Sequence, residues 1–470
     1  MLIRNAETSD GTLADLRTDG VFVAAMGENL QARPGEIVLD ACGATLLPGL
    51  HDHHVHLMAL ATSLESLRCG PPEVLTAEHL ERQLRERAML SADSDDDWIR
   101  GIGYHESVAG DIDRSWLDRV VPSRPVRIQH RSGRLWVINS CGLARLASRT
   151  DRPDATPLQD TGVLATGRLY DADHWLRQRL AGQPPPLRRV SALLASLGVT
   201  GVTDATARNS QDEYRYFVES AARGDLLQRA LVMGDASLDG ATDVGLVRRG
   251  PTKVYLRESA LPAIEDLCAS IACSHAAGRP VAVHCVTQAE LVFAVAALAA
   301  TGSRPGDRIE HASVAPPDVL SLLAEQGLTV VTQPNFVRER GDAYLADVPA
   351  RDQPWLYRAR GFLEAGITLA AGTDAPLGDP NPWLAMQAAV DRRTMTGRSL
   401  GAAEALSPEE ALALFGGDPL APGAGRSRLA PGSTADLCLL DRPWAVARRD
   451  LAAVRVNATV QQGRLVWQRS

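Results

Sequence analysis

The chain has 470 residues, a length that suits one large α/β barrel or two to three smaller domains. Its composition is typical of a folded protein. Its formal net charge of −8 argues against a nucleic-acid partner, because a protein that binds nucleic acids would carry a surplus of basic residues. The sequence has no long apolar run, no apolar leader and seven scattered cysteines without a C-x-x-C pair, so we expect a cytoplasmic protein without membrane contacts or disulfides.

The two ends of the chain are predicted to form one small β-sandwich. Residues Met1–Cys42 contain short apolar pieces (VFVAAM, EIVLD) separated by glycine-containing turns. Residues Ala430–Gln468 contain similar pieces (DLCLL, RLVWQ). Short strands of this kind do not fit a barrel of parallel strands, so we assign residues 1–43 and 430–470 to the sandwich.

A cluster of histidines follows the first apolar stretch, Ala44–Leu50, which we predict to be the first barrel strand. Four of the 11 histidines lie within PGLHDHHVHL, at positions 51, 53, 54 and 56. Because alternate residues of a strand share a face, His54 and His56 are predicted to point the same way, as two ligands of one metal. We interpret His51 and His53 as packing or supporting residues.

The stretch from residue 61 to residue 189 does not follow the barrel pattern. It contains strand-like segments at Trp98–Gly103, Val126–His130 and Trp136–Asn139. We predict that it is an insertion after the first strand that caps the barrel mouth. Its acidic run, Asp93–Asp97, predicts a solvated loop.

Between residues 199 and 375 the sequence alternates strand-like and helix-like segments. The predicted strands are Val199–Asp204, Gln228–Met233, Lys253–Leu256, Val281–Cys285, Arg308–His311, Thr329–Gln333 and Ile367–Asp374. The helical patterns between them stop at Gly278, Gly302, Gly327 and Gly366, as expected of left-handed helix caps. With the first strand this makes eight βα units, so we predict an α/β fold with a (β/α)8 TIM barrel over residues 44–60 and 190–429.

Three more candidate ligands stand at predicted strand ends. His284, His311 and Asp374 each lie at the carboxyl end of a predicted strand. In a TIM barrel all these ends meet at one mouth, so we expect them to join His54 and His56 there. Four imidazoles and one carboxylate suit zinc or another borderline divalent metal.

One lysine remains in the chain, Lys253, whereas the other 48 basic residues are arginine. A codon bias explains the arginines, but a surviving lysine predicts a site that needs an uncharged primary amine. An ammonium would repel two metals. A neutral amine can instead take up carbon dioxide and become a carbamate, whose two oxygens bridge two cations. The sequence therefore predicts a carboxylated Lys253 between two metals, with two Zn²⁺ per chain.

These motifs resemble the amidohydrolase superfamily of metal-dependent hydrolases. PGLHDHHVHL, RIEHA and AAGTDAP are similar to its signatures on strands one, six and eight, and Ala405–Pro443 is similar to its closing helix and return to the sandwich. WVINSCGL and the insertion resemble amidohydrolase family 3, which includes formamide deformylases. The resemblance implies that the first metal is held by His54, His56 and Asp374. It implies that the second is held by His284 and His311, with Lys253 as the bridge.

The chain departs from this branch at one place. Ser132, Gly133 and Arg134 stand where the branch often has Asp-Gly-His. If that position contacts substrate, the guanidinium of Arg134 would favour a substrate with an acidic group.

The resemblance implies hydrolysis of an amide-like C–N bond in a small molecule, such as an N-formyl, N-acyl or cyclic amide. A metal-bound hydroxide would attack the carbonyl, and Asp374 would act as general base and then as general acid. The candidate donors to substrate or oxyanion are Arg134, His130, Asn139 and Asn335. A homodimer is an expectation from the family alone.

Three alternatives stay open at this point. A deaminase with one metal would not need the bridging lysine. Ester or lactone hydrolysis and lyase chemistry would use the same ligands. A non-catalytic scaffold would have lost ligands, whereas all six positions are filled here.

Overall fold

The computed structural model describes residues 1–8, 11–71, 73–90, 98–148, 160–172, 175–176, 179–180, 184–425 and 428–469. The acidic run Asp93–Asp97 lies outside the described residues. Contacts divide the chain into two compact units, one of Met1–Ala59 with Pro186–Ser470 and one of Leu60–Pro185. Within the described residues, none of the helices has the length and apolar character that a membrane span requires.

The larger unit contains one sheet of eight parallel strands. In order across the sheet these are Leu50–Val55, Val199–Asp204, Arg229–Gly234, Val247–Tyr255, Val281–Cys285, Arg308–His311, Thr329–Thr332 and Leu369–Ala371, here called the first to eighth barrel strands. The carboxyl ends of the first and eighth strands meet, because the amide of Asp374 donates to His54 O at 2.7 Å and that of His56 to Ala375 O at 2.9 Å. The predicted TIM barrel is confirmed.

Two strand boundaries differ from the prediction. Leu46–Pro48 does not belong to the barrel, since it pairs antiparallel with Leu437–Leu440 of the sandwich, and the first barrel strand begins only at Leu50. Lys253 does not open the fourth strand but lies two residues before its end at Tyr255. Lys253 is thereby placed near the mouth of the barrel, beside the other strand ends.

Helices alternate with the barrel strands along the chain, although only a 3₁₀ helix lies between the third and fourth strands. The α-helix Leu57–Leu64 begins in the larger unit and ends in the smaller one. The other α-helices of the larger unit are Arg188–Ser196, Gln211–Ala222, Ile264–Ala276, Gln288–Thr301, Pro317–Glu325, Asn335–Asp347, Ala359–Glu364, Pro382–Asp391, Pro408–Ala413 and Trp444–Ala447. Short 3₁₀ helices cover Ala236–Gly240, Glu258–Ala260, Gln353–Trp355, Ala402–Glu404 and Leu451–Ala453. The glycines predicted to end four helices have φ of 72° at Gly278, 80° at Gly302, 63° at Gly327 and 73° at Gly366. Because L-residues with a side chain disfavour this region, glycine is the residue expected at these helix ends.

Both chain ends form the predicted β-sandwich of two four-stranded sheets. One sheet has the order Phe22–Gly27, Leu13–Asp19, Leu2–Glu7, Val38–Asp40, and the other Arg464–Gln468, Val456–Gln461, Leu437–Leu440, Leu46–Pro48. A short hairpin of Gly417–Asp418 and Ala421–Pro422 precedes the C-terminal sheet. Ile3 and Leu16 from one chain end pack with Leu437 and Val460 from the other in a single buried cluster, which is the apolar driving force for joining the ends.

The smaller unit has a sheet and a core of its own. The sheet order is Arg168–Tyr170, Leu135–Ile138, Val126–His130, Ile99–Tyr104, Leu67–Arg68. Its α-helices include Ala77–Met89, Glu106–Ala109, Arg114–Val120, Ser140–Ser148 and Thr161–Thr166. Leu80, Ile99, Leu117 and Ile128 are fully buried in one cluster. That this unit caps the barrel mouth stays a prediction.

Candidate metal centre

The first barrel strand presents two histidines whose Nδ1 atoms are already engaged. His54 Nδ1 is hydrogen-bonded to Glu310 Oε2, and His56 Nδ1 to Thr206 Oγ1 at 2.9 Å. A partner on Nδ1 fixes the orientation of an imidazole and leaves Nε2 as the atom that can bind a metal. Both rings are therefore arranged as expected of metal ligands.

The sixth and fifth strands bring two more imidazoles to the same place. His311 Nδ1 is hydrogen-bonded to Gln333 Oε1 at 2.6 Å, and the His311 ring lies 4.8 Å from the ring of His54. The His284 ring lies 4.5 Å from the ring of His311. His311 has φ of 70°, a left-handed backbone that is unfavourable for a residue with a side chain.

Asp374 faces the histidines from the end of the eighth strand. Its Oδ1 lies 3.2 Å from His56 Nε2 and 3.5 Å from His54 Nε2, and it is buried without a hydrogen-bond partner among the described residues. One possible ligand atom from each of His54, His311 and Asp374 lies within 4.8 Å of the corresponding atoms of the other two residues. Two imidazoles and a carboxylate that converge in this way fit a divalent metal.

Lys253 is buried beside this group. Only 2% of its side chain is exposed, and Nζ has no hydrogen-bond partner within the described part of the chain. Its nearest charged neighbour is Glu310, with Oε2 at 3.9 Å from Nζ. Burial lowers the pKa of the Lys253 amine to about 8, although the Glu310 carboxylate opposes this shift. The amine is thus closer to its neutral form than an exposed lysine would be.

Glu310 was missed in the sequence. It is fully buried, and its carboxylate contacts His54 through Oε2 and Arg308 Nε through Oε1, the latter at 2.6 Å. Although burial opposes ionisation, Arg308 and Lys253 hold the pKa of Glu310 well below its ordinary value. Two charged residues at alternate positions of a predicted strand, Arg308 and Glu310 in RIEH, were the signal that would have revealed it.

Asp52 was missed as well, although it shares a strand face with His54 and His56. Its Oδ1 accepts from His54 N at 3.1 Å and from Thr373 N at 3.0 Å, and its Oδ2 accepts from Thr373 Oγ1 at 2.5 Å. Burial raises the pKa of Asp52 to about 6. The carboxyl group ties the first strand to the eighth strand and so fixes the distance between His54 and Asp374.

The electrostatics of the centre favour a cation. Burial lowers the pKa of His54, that of His284 to about 2 and that of His311 to about 3, so these imidazoles are neutral at pH 7. Although burial favours the neutral acid, interactions with His54, His56 and His311 hold the pKa of Asp374 below its ordinary value. Although burial opposes it, the hydrogen bond to Asp374 raises the pKa of His56 in turn. Neutral imidazoles beside an ionised carboxylate are the donor set that Zn²⁺ binds.

The other two histidines of the cluster turn away from this group. His51 Nε2 is hydrogen-bonded to Thr203 Oγ1 at 2.9 Å, and His53 Nε2 to Gly416 O at 3.0 Å. Their rings lie 4.5 Å apart on the strand face opposite to that of His54. This arrangement agrees with the packing role that we assigned to them.

Three candidate substrate residues lie in the smaller unit. Arg134 pairs with Asp171 at 2.6 Å and its side chain is 72% exposed. His130 Nδ1 is hydrogen-bonded to Ser132 Oγ at 2.8 Å, and its Nε2 lies 3.2 Å from Glu106 Oε1.

Asn139 does not fit the role of a substrate donor. Its Nδ2 donates to the carbonyls of Val121 and Arg124, and its Oδ1 accepts from the amides of Val126 and Gly142. All four hydrogen bonds of this fully buried amide serve the backbone around it, so no donor is left for a substrate.

The fourth candidate, Asn335, lies in the larger unit. Asn335 is 1% exposed, and its Nδ2 donates to the carbonyl of Thr373, directly before Asp374, at 3.0 Å and to Glu339 Oε1 at 3.3 Å. Its Oδ1 has no hydrogen-bond partner among the described residues. Asn335 therefore has a free acceptor oxygen near the centre, but no free donor for a substrate or oxyanion.

Comparison with known proteins agrees with this geometry. A family model described as "Amidohydrolase family" matches residues 37–467. The chain is 24% identical over 529 residues to an N-substituted formamide deformylase of Arthrobacter pascens, and the match covers 100% of this chain and 97% of that protein.

Two solved structures share the fold over nearly the whole chain. An uncharacterised metal-dependent hydrolase from Pyrococcus horikoshii OT3 has a TM-score of 0.76 and 21% identity, with 99% of each chain covered. One from Pyrococcus furiosus has a TM-score of 0.75 and 20% identity, with 94% of this chain and 98% of that chain covered.

Proposed function

Because the chain belongs to the amidohydrolase family, we propose that it hydrolyses an amide-like carbon–nitrogen bond of a small molecule, such as an N-formyl, N-acyl or cyclic amide. The observation that carries the proposal is the group formed by His54, His311 and Asp374, which converge within 4.8 Å at the carboxyl ends of three barrel strands. Active sites of TIM barrels lie at this end. The relative named for formamide deformylation acts on a bond of the same class.

We further propose that the centre holds two divalent metals. His54, His56 and Asp374 would hold the first, His284 and His311 the second, and a carbamate on Lys253 would bridge them. The engaged Nδ1 atoms of three of these histidines and the unpartnered, buried Nζ of Lys253 support this assignment. When bound, such metals polarise a carbonyl oxygen and lower the pKa of a water molecule.

Asp374 is the residue that would move the proton. It is ionised in its surroundings, and its Oδ1 has a free lone pair. In the proposed reaction Asp374 Oδ1 takes a proton from the attacking water and gives it to the leaving nitrogen. The hydrogen bond from its own amide to His54 O, at 2.7 Å, holds it beside the first strand during both transfers.

Three of the candidate residues remain for substrate binding. Asn335 Oδ1 would accept a hydrogen bond from the substrate beside Asp374. Arg134 and His130 would contact the substrate only if the smaller unit caps the barrel mouth. A homodimer is likewise a proposal from the family.

A single-metal enzyme is the second candidate, and one observation favours it. The 3.9 Å approach of Lys253 Nζ to Glu310 Oε2 can be an ordinary buried ion pair, which would leave the lysine unmodified. His54, His311 and Asp374 alone suffice for one metal. Deamination, or hydrolysis of an ester or lactone, would then be the reaction. Metal analysis separates the two, because the leading proposal requires about two metals per chain and the alternative about one.

The direct test is a screen of N-formyl, N-acyl and cyclic amides with zinc-loaded protein. We expect one of these classes to be hydrolysed, and Asp374→Asn to lower kcat by about 10²- to 10⁴-fold. Asp225→Asn, which alters a surface carboxylate paired with Arg188 and Arg223, is the matched control and should keep the wild-type rate. Full activity in Asp374→Asn, or in protein stripped of metal, would contradict the proposal.

A further inference from the structure

A row of aromatic rings leads from the metal centre to the barrel rim. Rings of His54 and His311 lie 4.8 Å apart, those of His311 and His284 4.5 Å apart, and those of His284 and Tyr255 4.3 Å apart. Tyr255 is 52% exposed, whereas His54 and His311 are buried. The phenol ring therefore borders the centre on its solvent side.

The fourth strand continues this row with a cation. Lys253, Tyr255 and Arg257 occupy alternate positions, and the backbone is still extended at Arg257, with φ of −138° and ψ of 125°. These three side chains therefore share a face, from the buried amine to the exposed guanidinium. The Arg257 guanidinium lies 5.3 Å from the centroid of the Tyr255 ring, in cation–π contact.

Arg257 is one of the arginines that have no carboxylate partner in the described part of the chain. Among the described residues, no acidic group lies within ion-pair distance of it, and its sequence neighbour Glu258 is exposed without pairing to it. Arg134, in contrast, is already paired with Asp171. A cation that is held in place but left unpaired beside a reaction centre is suited to an anionic ligand.

We propose that Tyr255 and Arg257 form the specificity subsite of the centre, with Arg257 binding the carboxylate of the substrate and Tyr255 supporting its apolar or planar part. This inference rests on the proposed hydrolytic function and adds the substrate class, an amide that carries a carboxylate. A guanidinium binds a carboxylate through two parallel hydrogen bonds, which a neutral amide in the same position cannot replace.

Two substrates that differ in one group, a carboxylate in one and a carboxamide in the other, test the subsite. With N-formylphenylalanine and N-formylphenylalaninamide as substrates of zinc-loaded protein, Arg257→Gln should lower kcat/KM for the carboxylate by about tenfold to a hundredfold and for the amide by less than about threefold. The control is Arg248→Gln, because Arg248 is an exposed arginine near the opposite end of the same strand. It should behave as the wild type with both substrates, and all variants should keep the same metal content.

Binding of a compound that cannot be hydrolysed separates this inference from the proposed function. Calorimetry should show that 3-phenylpropanoate binds more tightly than 3-phenylpropanol, and that Arg257→Gln, but not Arg248→Gln, removes the difference. If this result is obtained and no amide is hydrolysed, the proposed function fails and the subsite stands. Equal binding of 3-phenylpropanoate to the wild type and Arg257→Gln, or a wild type without preference for the carboxylate, overturns the subsite.

Discussion

Glu310→Gln should weaken zinc binding by about 10- to 100-fold without removing any proposed ligand. The two carboxylate oxygens of Glu310 accept hydrogen bonds from different sides, one from His54 Nδ1 and one from Arg308 Nε. Glutamine has one acceptor and one donor, so it can satisfy only one of these neighbours. If its NH₂ group faces His54, the imidazole must carry its proton on Nε2, the atom that a metal needs.

The other orientation of the glutamine has a different cost. Its NH₂ group would then face the N–H of Arg308, so that two donors meet. In either orientation Arg308, which is 1% exposed, loses the charge that balances it. Leaving a buried charge without its partner costs about 3 kcal/mol or more in folding free energy. We therefore expect Glu310→Gln to lower the free energy of unfolding in addition to metal affinity.

Competition with a chromophoric chelator measures the zinc Kd, and urea unfolding of the metal-free protein measures stability. Glu404→Gln is the matched control, since Glu404 is a buried glutamate paired with Arg358 Nε at 3.0 Å in another part of the larger unit. It should lose stability and keep the wild-type zinc Kd. A Glu310→Gln protein that folds and binds zinc within about threefold of the wild type would refute the role of Glu310 in orienting His54.

Two further predictions concern stability. Gly372→Ala places a Cβ 2.3 Å from the backbone nitrogen of His54, so it should lower the free energy of unfolding by about 1–3 kcal/mol and weaken zinc binding. Urea unfolding and chelator competition measure these two effects. In the control Gly27→Ala the new Cβ meets nothing within 4 Å, so zinc binding should be unchanged. Glu410→Gln should cost about 1 kcal/mol at pH 7, because the Arg360 guanidinium lowers the pKa of Glu410 from its ordinary 4.5 to about 2. This contribution to stability is present above pH 4.5 and is lost as the pH falls towards 2. Urea unfolding at pH 3 should therefore show a smaller difference in free energy of unfolding between the variant and the wild type than at pH 7. An equal difference at both pH values would contradict this prediction.

Much of the fold could be predicted because it rests on local signals. The glycines at 278, 302, 327 and 366 mark helix ends through a backbone conformation that favours glycine, and that preference is visible in any sequence. Leu46–Pro48 was assigned to the wrong sheet because an apolar strand has the same composition in a sandwich and in a barrel. Its partner, Leu437–Leu440, lies almost 400 residues further along the chain, beyond the reach of local patterns.

The sequence pointed to the side chains proposed as ligands, but not to the residues that support them. Histidines at strand ends are rare enough to be noticed, whereas Glu310 and Asp52 are ordinary residue types whose role depends on a distant partner. The left-handed backbone at His311 also breaks the alternation rule, so that Glu310 and His311 both approach His54 although they are consecutive. Burial and backbone turns of this kind become visible only when the strands are assembled.

Incorporation of ¹³C-labelled bicarbonate, followed by ¹³C NMR and metal analysis of the same sample, tests the proposed carbamate most directly. Lys253 is the only lysine in the sequence, so no other lysine side chain can contribute a carbamate signal. We predict about one carbamate per chain together with about two zinc ions, and loss of the signal in Lys253→Arg. A fully active protein that carries zinc and no labelled carbamate would contradict the bridged centre.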